Sequence, residues 1–187
     1  MEERTKNQQT KQSQRPGRVV VLTGPGKGKS SSAFGMVLRA AGWNYRVCVI
    51  QFIKKESRKT GEQMAAETLP GVEWHCLGDG FTWVTKDPEK DKSNNQKIWA
   101  FSQEKIRSDQ FDLVVLDEIN YAASYGWISG EEIATFIQKE KPTRTHLILT
   151  GRDALPEVID VADTVTEMGV VKHAFEQGIP AGRGIEF

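Results

Sequence analysis

Between a continuous apolar run, Arg18–Thr23, and a stretch of helical period, Ser30–Ala41, lies the segment Thr23-Gly24-Pro25-Gly26-Lys27-Gly28-Lys29-Ser30. A glycine-rich turn in that position lets backbone N–H groups converge on an anion. The helix behind it adds about half a positive charge at its N-terminus, and Lys29 adds a full one. The segment therefore reads as a phosphate-binding loop, with the amides of Gly26 to Lys29 around the anion and the Ser30 hydroxyl offered to Mg²⁺. Its spacing is a variant. The usual pattern places glycine five positions before Gly28, where Thr23 stands, and Gly24 lies one residue closer.

The rest of the chain repeats this alternation. Apolar, β-branched runs at Arg46–Phe52, Val72–Leu77, Asp112–Asp117, Thr145–Thr150 and Asp163–Glu167 have the pattern of strands covered on both faces. Helical period appears at Glu62–Leu69, Asn94–Arg107, Gly130–Lys139 and Pro156–Ala162. Strand and helix in alternation imply right-handed crossovers and an α/β fold: a mostly parallel sheet of about six strands, helices on both faces, and ligands at the carboxyl ends of the strands. One domain is expected over residues 18–187. Met1–Gly17 has almost nothing to bury and is expected to be a flexible arm, able to order over a ligand or a neighbouring subunit.

Charge and composition narrow the classes of partner. Lys plus Arg total 25 and Asp plus Glu total 25. With no net charge there is no bulk field toward nucleic acid or an anionic membrane, so an anionic ligand has to be held locally. The basic stretch Lys54–Lys59 is short and reads as a solvated loop. No apolar run approaches the ~20 residues of a membrane span, and Met1–Arg15 lacks the apolar core of a secretory signal. The expectation is a soluble, cytoplasmic protein that binds neither nucleic acid nor membrane. Cys48 and Cys76 lie in apolar segments without a metal-binding spacing and read as ordinary buried thiols. His75, His146 and His173 are far apart and read as structural. Arg39 lies roughly 15 Å along the helix from Lys29, near its C-terminus, where a cation complements the dipole.

Asp117-Glu118 ends the apolar strand Leu113–Leu116, as expected of acids that hold Mg²⁺ directly or through water opposite a phosphate loop. Two acids alone at a strand end also fit a helix cap; it is the phosphate-binding loop that says a nucleoside triphosphate binds, without saying which bond breaks. ATP hydrolysis, phosphoryl transfer, and nucleotidyl or adenosyl transfer all remain open. Gly80-Phe81-Thr82-Trp83 follows a strand; in an extended loop Phe81 and Trp83 project the same way and offer two apolar faces to one ligand.

Taken in order, Thr-Gly-Pro-Gly-Lys-Gly-Lys-Ser-Ser-Ser-Ala-Phe-Gly, Val-Ile-Gln-Phe-Ile-Lys, Gly-Phe-Thr-Trp, Val-Leu-Asp-Glu-Ile, Leu-Thr-Gly-Arg and Val-Lys-His-Ala-Phe resemble the P-loop class of cob(I)alamin (corrinoid) adenosyltransferases, from Val19 to Phe187. Pro25 stands where that class commonly has Asn, and serines follow Lys29 where it has threonines. The resemblance implies a RecA-like P-loop fold and transfer of the 5′-deoxyadenosyl group of ATP to the cobalt of a reduced corrinoid, with release of tripolyphosphate and formation of adenosylcobalamin. It implies ATP held by Gly24, Gly26, Lys27, Gly28, Lys29, Ser30 and Ser31, with Lys29 catalytic. Mg²⁺ would lie between phosphate oxygens, Ser30 and Glu118, with Asp117 assisting. Phe81 and Trp83 would pack under the corrin ring and displace its lower axial ligand, which brings reduction within reach of a flavoprotein donor. The class also implies a homodimer. Two other readings remain beside it: a RecA-like ATPase in which Glu118 activates water, and a corrinoid- or nucleotide-binding chaperone without chemistry.

Overall fold

A computed structural model describes residues 16–55, 59–80 and 88–187. The arm expected over residues 1–17 lies outside it as far as residue 15. Gly17 is buried, and its N–H donates to the Thr143 carbonyl.

Strands β1 (Val19–Thr23), β2 (Val47–Gln51), β3 (Val72–Cys76), β4 (Leu113–Asp117), β5 (His146–Thr150) and β6 (Thr164–Glu167) form one sheet in the order β3-β2-β4-β5-β1-β6. Every pairing between them is parallel. The helices are α1 (Lys29–Gly42), α2 (Gly61–Ala66), α3 (Pro88–Arg107), α4 (Ile119–Ser124), α5 (Gly130–Lys139) and α6 (Pro156–Asp160), with a short 3₁₀ turn at Ala174–Gln177. Among the described residues no helix is long and apolar enough to cross a membrane.

Strand alternation divides the core into two layers. Val21, Cys48, Ile50, Val114, Leu116, Leu147 and Leu149 point to the face covered by Ile98 and Trp99 of α3 and by Ile133 and Phe136 of α5. Leu22, Val47, Val49, Leu113, Val115 and Ile148 point the other way, onto Ala33, Phe34, Val37 and Ala40 of α1. Central strands buried on both faces explain why β2 and β4 read as unbroken apolar runs.

The two outer strands differ from that expectation. β3 is only half-buried and β6 is exposed along its whole length. Each has one paired side, and Thr164, Thr166 and Glu167 are the polar residues an edge tolerates. The α4 helix was not legible: its residues, Ile-Asn-Tyr-Ala-Ala-Ser, carry no polar face, and most of them are buried. α3 starts six residues before the expected Asn94, because Glu89 and Asp91 supply the acids a first turn favours. Arg39 lies in the last turn of α1, as the dipole argument requires.

The register carries the fold's consequence for function. Gln51 is aligned with Asp117, Leu22 with Thr150, and Thr23 with Glu167. One edge of the sheet therefore collects the ends of β1, β2, β4, β5 and β6, with β5 as the spacer between the loop after β1 and the acids after β4.

Candidate functional site

The loop after β1 is formed by close backbone approach. Gly24 has φ +92° and Gly28 φ +110°, in the left-handed region where a side chain is strained. A Cβ on Gly24 or Gly26 would come within 2.7 Å of the Met168 backbone, so the residues after β6 form the floor of the loop. The Gly26 N–H donates to the Met168 carbonyl at 2.6 Å. This differs from the sequence expectation, since that amide is committed and the amides of Lys27, Gly28 and Lys29 are the ones left to an anion. Helix α1 begins at Lys29, with Gly28 as its cap.

The Lys29 ammonium is turned back over the loop, donating to the carbonyls of Gly24 at 2.7 Å and Gly26 at 2.6 Å. Burial, then the Arg152 guanidinium, push it below the ordinary lysine value, against the opposing pull of Glu118 and Asp153. Ser30 is half-buried beside it, while Ser31 is exposed and forms one end of an apolar cleft of about 410 Å³. Lys27 points outward and pairs with Glu186 at 3.1 Å.

Across from the loop the two acids have different environments. Asp117 is fully buried, and both of its oxygens are engaged: Oδ2 accepts from Gln51 Nε2 at 2.8 Å and Oδ1 from the Thr150 hydroxyl at 2.8 Å. Gln51 is in turn held by Trp74 Nε1 and the Cys76 thiol, and Thr150 Oγ1 accepts the Glu118 N–H at 2.9 Å. Removing one member would leave its buried partner unsatisfied, at a cost of about 1–3 kcal/mol. Glu118 itself adopts φ +69°, uncommon for a residue with a side chain. Its Oε2 is inaccessible and has no hydrogen-bond partner among the described residues. Burial, then the neighbouring Asp117, push its carboxyl up to about 7, against Lys54 and Lys29.

The sheet edge thus carries the loop residues Gly24, Gly26, Lys27, Gly28, Lys29, Ser30 and Ser31 and the acids Asp117 and Glu118; Lys29 and Glu118 act on one another's charge, while Lys27 turns to Glu186 and Ser31 to the cleft. Phe81 and Trp83 lie outside the described residues. The chain leading to them is fixed at the same edge: the Gly78 N–H donates to the Lys54 carbonyl and the Gly80 N–H to the Ile53 carbonyl.

Several neighbours have roles at this edge that the sequence reading did not assign. Lys54, expected to be solvated, lies 3.9 Å from Asp117 Oδ2 and over the Phe34 ring. Gln51 and Thr150 orient Asp117, Arg152 and Asp153 act electrostatically on Lys29, and Glu186 reaches Lys27. Gln51 and Lys54 stand in Val-Ile-Gln-Phe-Ile-Lys, and Thr150 and Arg152 in Leu-Thr-Gly-Arg, two of the motifs that carry the resemblance, while Glu186 had no local signal.

The histidines serve the scaffold. His146 Nδ1 accepts the Arg18 N–H, His173 Nδ1 accepts the Phe175 N–H, and His75 packs edge-on against Phe101. On the sheet face opposite α1, donor atoms of Cys48, Glu73 and His75 lie within 4.8 Å of one another. Lys105 holds the Glu73 carboxylate at 2.7 Å, and burial pushes the Cys48 thiol up to about 12, so this cluster is a packed ion pair over a neutral thiol.

Comparison with known proteins agrees with this geometry. The flagellar accessory protein FlaH from Methanocaldococcus jannaschii has a similar fold, with a TM-score of 0.50 at 13% identity over 86% of this chain and 76% of that one. A corrinoid adenosyltransferase from Pseudomonas aeruginosa is 44% identical over 91% of this chain and 84% of its own length. One from Sinorhizobium sp is 43% identical over 91% of this chain and 80% of its own length. The sequence model of the family described as ATP:corrinoid adenosyltransferase BtuR/CobO/CobP matches residues 15–187. That match spans the loop, the acid pair and the segment carrying Phe81 and Trp83, and the chain belongs to the ATP:corrinoid adenosyltransferase family.

Proposed function

We propose that this chain transfers the 5′-deoxyadenosyl group of ATP to the cobalt of a reduced corrinoid and releases tripolyphosphate. The observation that carries the reading is the convergence, within one family-matched chain, of the Lys29 loop and the Asp117–Glu118 pair on a single sheet edge. In the reaction the cobalt(I) electron pair attacks C5′, a Co–C bond forms, the C5′–O bond breaks, and its electrons leave on the polyphosphate. The corrinoid supplies the nucleophile, so the chain's own groups bind, orient and stabilise charge. The amides of Lys27 to Lys29 and the Lys27 and Lys29 ammonium groups face the growing negative charge, and Gly24, Gly26 and Gly28 give the backbone its close approach. Ser31 extends the phosphate site along α1.

Mg²⁺ fits the residues present. The orphaned, buried Oε2 of Glu118 is an oxygen donor without a partner, and Ser30 offers a hydroxyl from the loop side. Asp117, both oxygens engaged, assists by orienting the strand end. When bound, the cation supplies charge neutralisation of phosphate oxygens.

Phe81 and Trp83 would pack under the corrin ring and, by displacing its lower axial ligand, would ease reduction of cobalt(II) by a flavoprotein donor. Resemblance to the family supports this role, as it supports a homodimer; composition supports a cytoplasmic location and an N-terminal arm before the domain, whose packing already includes Gly17. The test separates chemistry from reduction. Phe81→Ala and Trp83→Ala should retain most transfer from chemically prepared cob(I)alamin and lose at least about tenfold when cob(II)alamin and a flavin donor are supplied, since about 59 mV suffices for that factor. Equal losses from both starting materials would refute the redox role.

A further inference from the structure

A loop suited to a polyanion carries an anion at its own mouth. Glu186 Oε1 lies 3.1 Å from Lys27 Nζ, and Glu186 Oε2 accepts the Gly182 N–H at 2.7 Å. Residues 182–187 form a closed turn: the Glu186 N–H donates to the Gly182 carbonyl and the Gly184 N–H to the Phe187 carbonyl, both at 2.9 Å. Gly184, at φ +79°, permits that turn. Ile185 and Phe187 line the cleft of about 410 Å³ together with Phe34 and Leu38 of α1, although Ile185 stays largely exposed, so the hydrogen bonds of the turn set where the carboxylate sits. The Gly182 amide, then the Lys27 ammonium, hold Glu186 below the usual carboxylate range, with His173 adding to the effect.

The two loop lysines are placed differently. Lys29 is turned inward onto two carbonyls. Lys27 keeps half of its side chain exposed, which makes it the loop cation that an outer phosphate reaches. Its partner carboxylate competes with that phosphate for the same ammonium. The chemistry gives such competition a use. Breaking C5′–O leaves tripolyphosphate with one more ionisable oxygen than the triphosphate of ATP, so an unopposed cationic loop would hold product more tightly than substrate.

We infer that Glu186 is a positioning residue for Lys27: it keeps the ammonium at the loop mouth, yields it to the incoming polyphosphate, and reclaims it as tripolyphosphate departs. This rests on the assignment of residues 24–30 to the polyphosphate of ATP.

The experiment uses the full chain with Mg²⁺ and no corrinoid, titrated calorimetrically with sodium tripolyphosphate and with ATP. Glu186→Gln keeps an oxygen for the Gly182 N–H and loses the charge. It should bind tripolyphosphate about two- to fivefold more tightly, the range of an exposed ion pair. In turnover with cob(I)alamin, its KM for ATP and its kcat should fall together, with a faster first turnover than later ones. Glu186→Ala should shift in the same direction, and neither change should tighten binding in a Lys27→Ala background. Unchanged or weaker binding by Glu186→Gln, or equal tightening without Lys27, would overturn the role of Glu186 and leave the loop assignment standing. Wild-type protein that binds neither ATP nor tripolyphosphate would overturn both.

Discussion

Replacing Lys29 with alanine should lower kcat/KM for adenosyl transfer by about 10²–10³-fold, with cob(I)alamin supplied chemically so that reduction plays no part. The reason is where the charge goes. As C5′ leaves, its bonding electrons pass to the polyphosphate, and a fixed cation there stabilises the transition state more than the ground state. Lys29 starts α1 and is held between the Gly24 and Gly26 carbonyls, so its cation is pre-placed at the loop. Lys29→Arg should not restore activity, because a planar guanidinium cannot take the position of a compact ammonium between two carbonyls. Both variants should stay folded, since Lys29 belongs to neither core layer. A loss smaller than tenfold in well-folded Lys29→Ala would mean that the loop is not where the charge develops.

Glu118→Gln should move activity and stability in opposite directions. The wild-type carboxyl titrates at about 7, above the ordinary 4.5. A raised value means that the folded state holds the proton more tightly than the unfolded one. The stabilisation is full below about 4.5 and is lost as pH rises through about 7. In Mg²⁺-free buffer the wild type should therefore lose stability across that window, by something of the order of 3 kcal/mol, and Glu118→Gln should not. At pH 8 the variant should melt roughly 6–12 °C higher than the wild type, with no such gain at pH 4. Its Mg²⁺-dependent transfer should drop at least about 10²-fold, because the carboxylate's negative charge and one of its two oxygens are lost, leaving the cation a single neutral amide oxygen. Parallel melting curves at both pH values would show that Glu118 is not a buried, strained carboxyl.

The loop, the acid pair and most of the sheet were legible because each depends on local pattern. Val19–Thr23 is apolar without interruption, the glycines follow at once, and Leu113–Leu116 runs into Asp117 and Glu118. What escaped depends on residues far apart in the chain. Gln51 matters because register places it beside Asp117, and Thr150 because β5 lies between β1 and β4. Lys54 follows a strand, where a binding loop is expected, and closes the motif Val-Ile-Gln-Phe-Ile-Lys, but its place within 3.9 Å of Asp117 depends on the pairing of β2 with β4. Glu186 is separated from Lys27 by most of the chain. Edge position, which sequence runs do not encode, decided that β3 and β6 would be less covered than the central strands. The different environments of Asp117 and Glu118 were also invisible, since adjacent acids on a strand end give no sign of which will be saturated with donors.

The bond that is made distinguishes adenosyl transfer from hydrolysis and from binding alone. Protein, Mg-ATP and chemically reduced cob(I)alamin, mixed in the dark without oxygen and followed by visible absorbance, should yield an alkylcobalamin that a light pulse destroys, with one tripolyphosphate for each cobalt alkylated. Continuous release of phosphate without corrinoid, or tight binding of both substrates with no photolabile product, would contradict it.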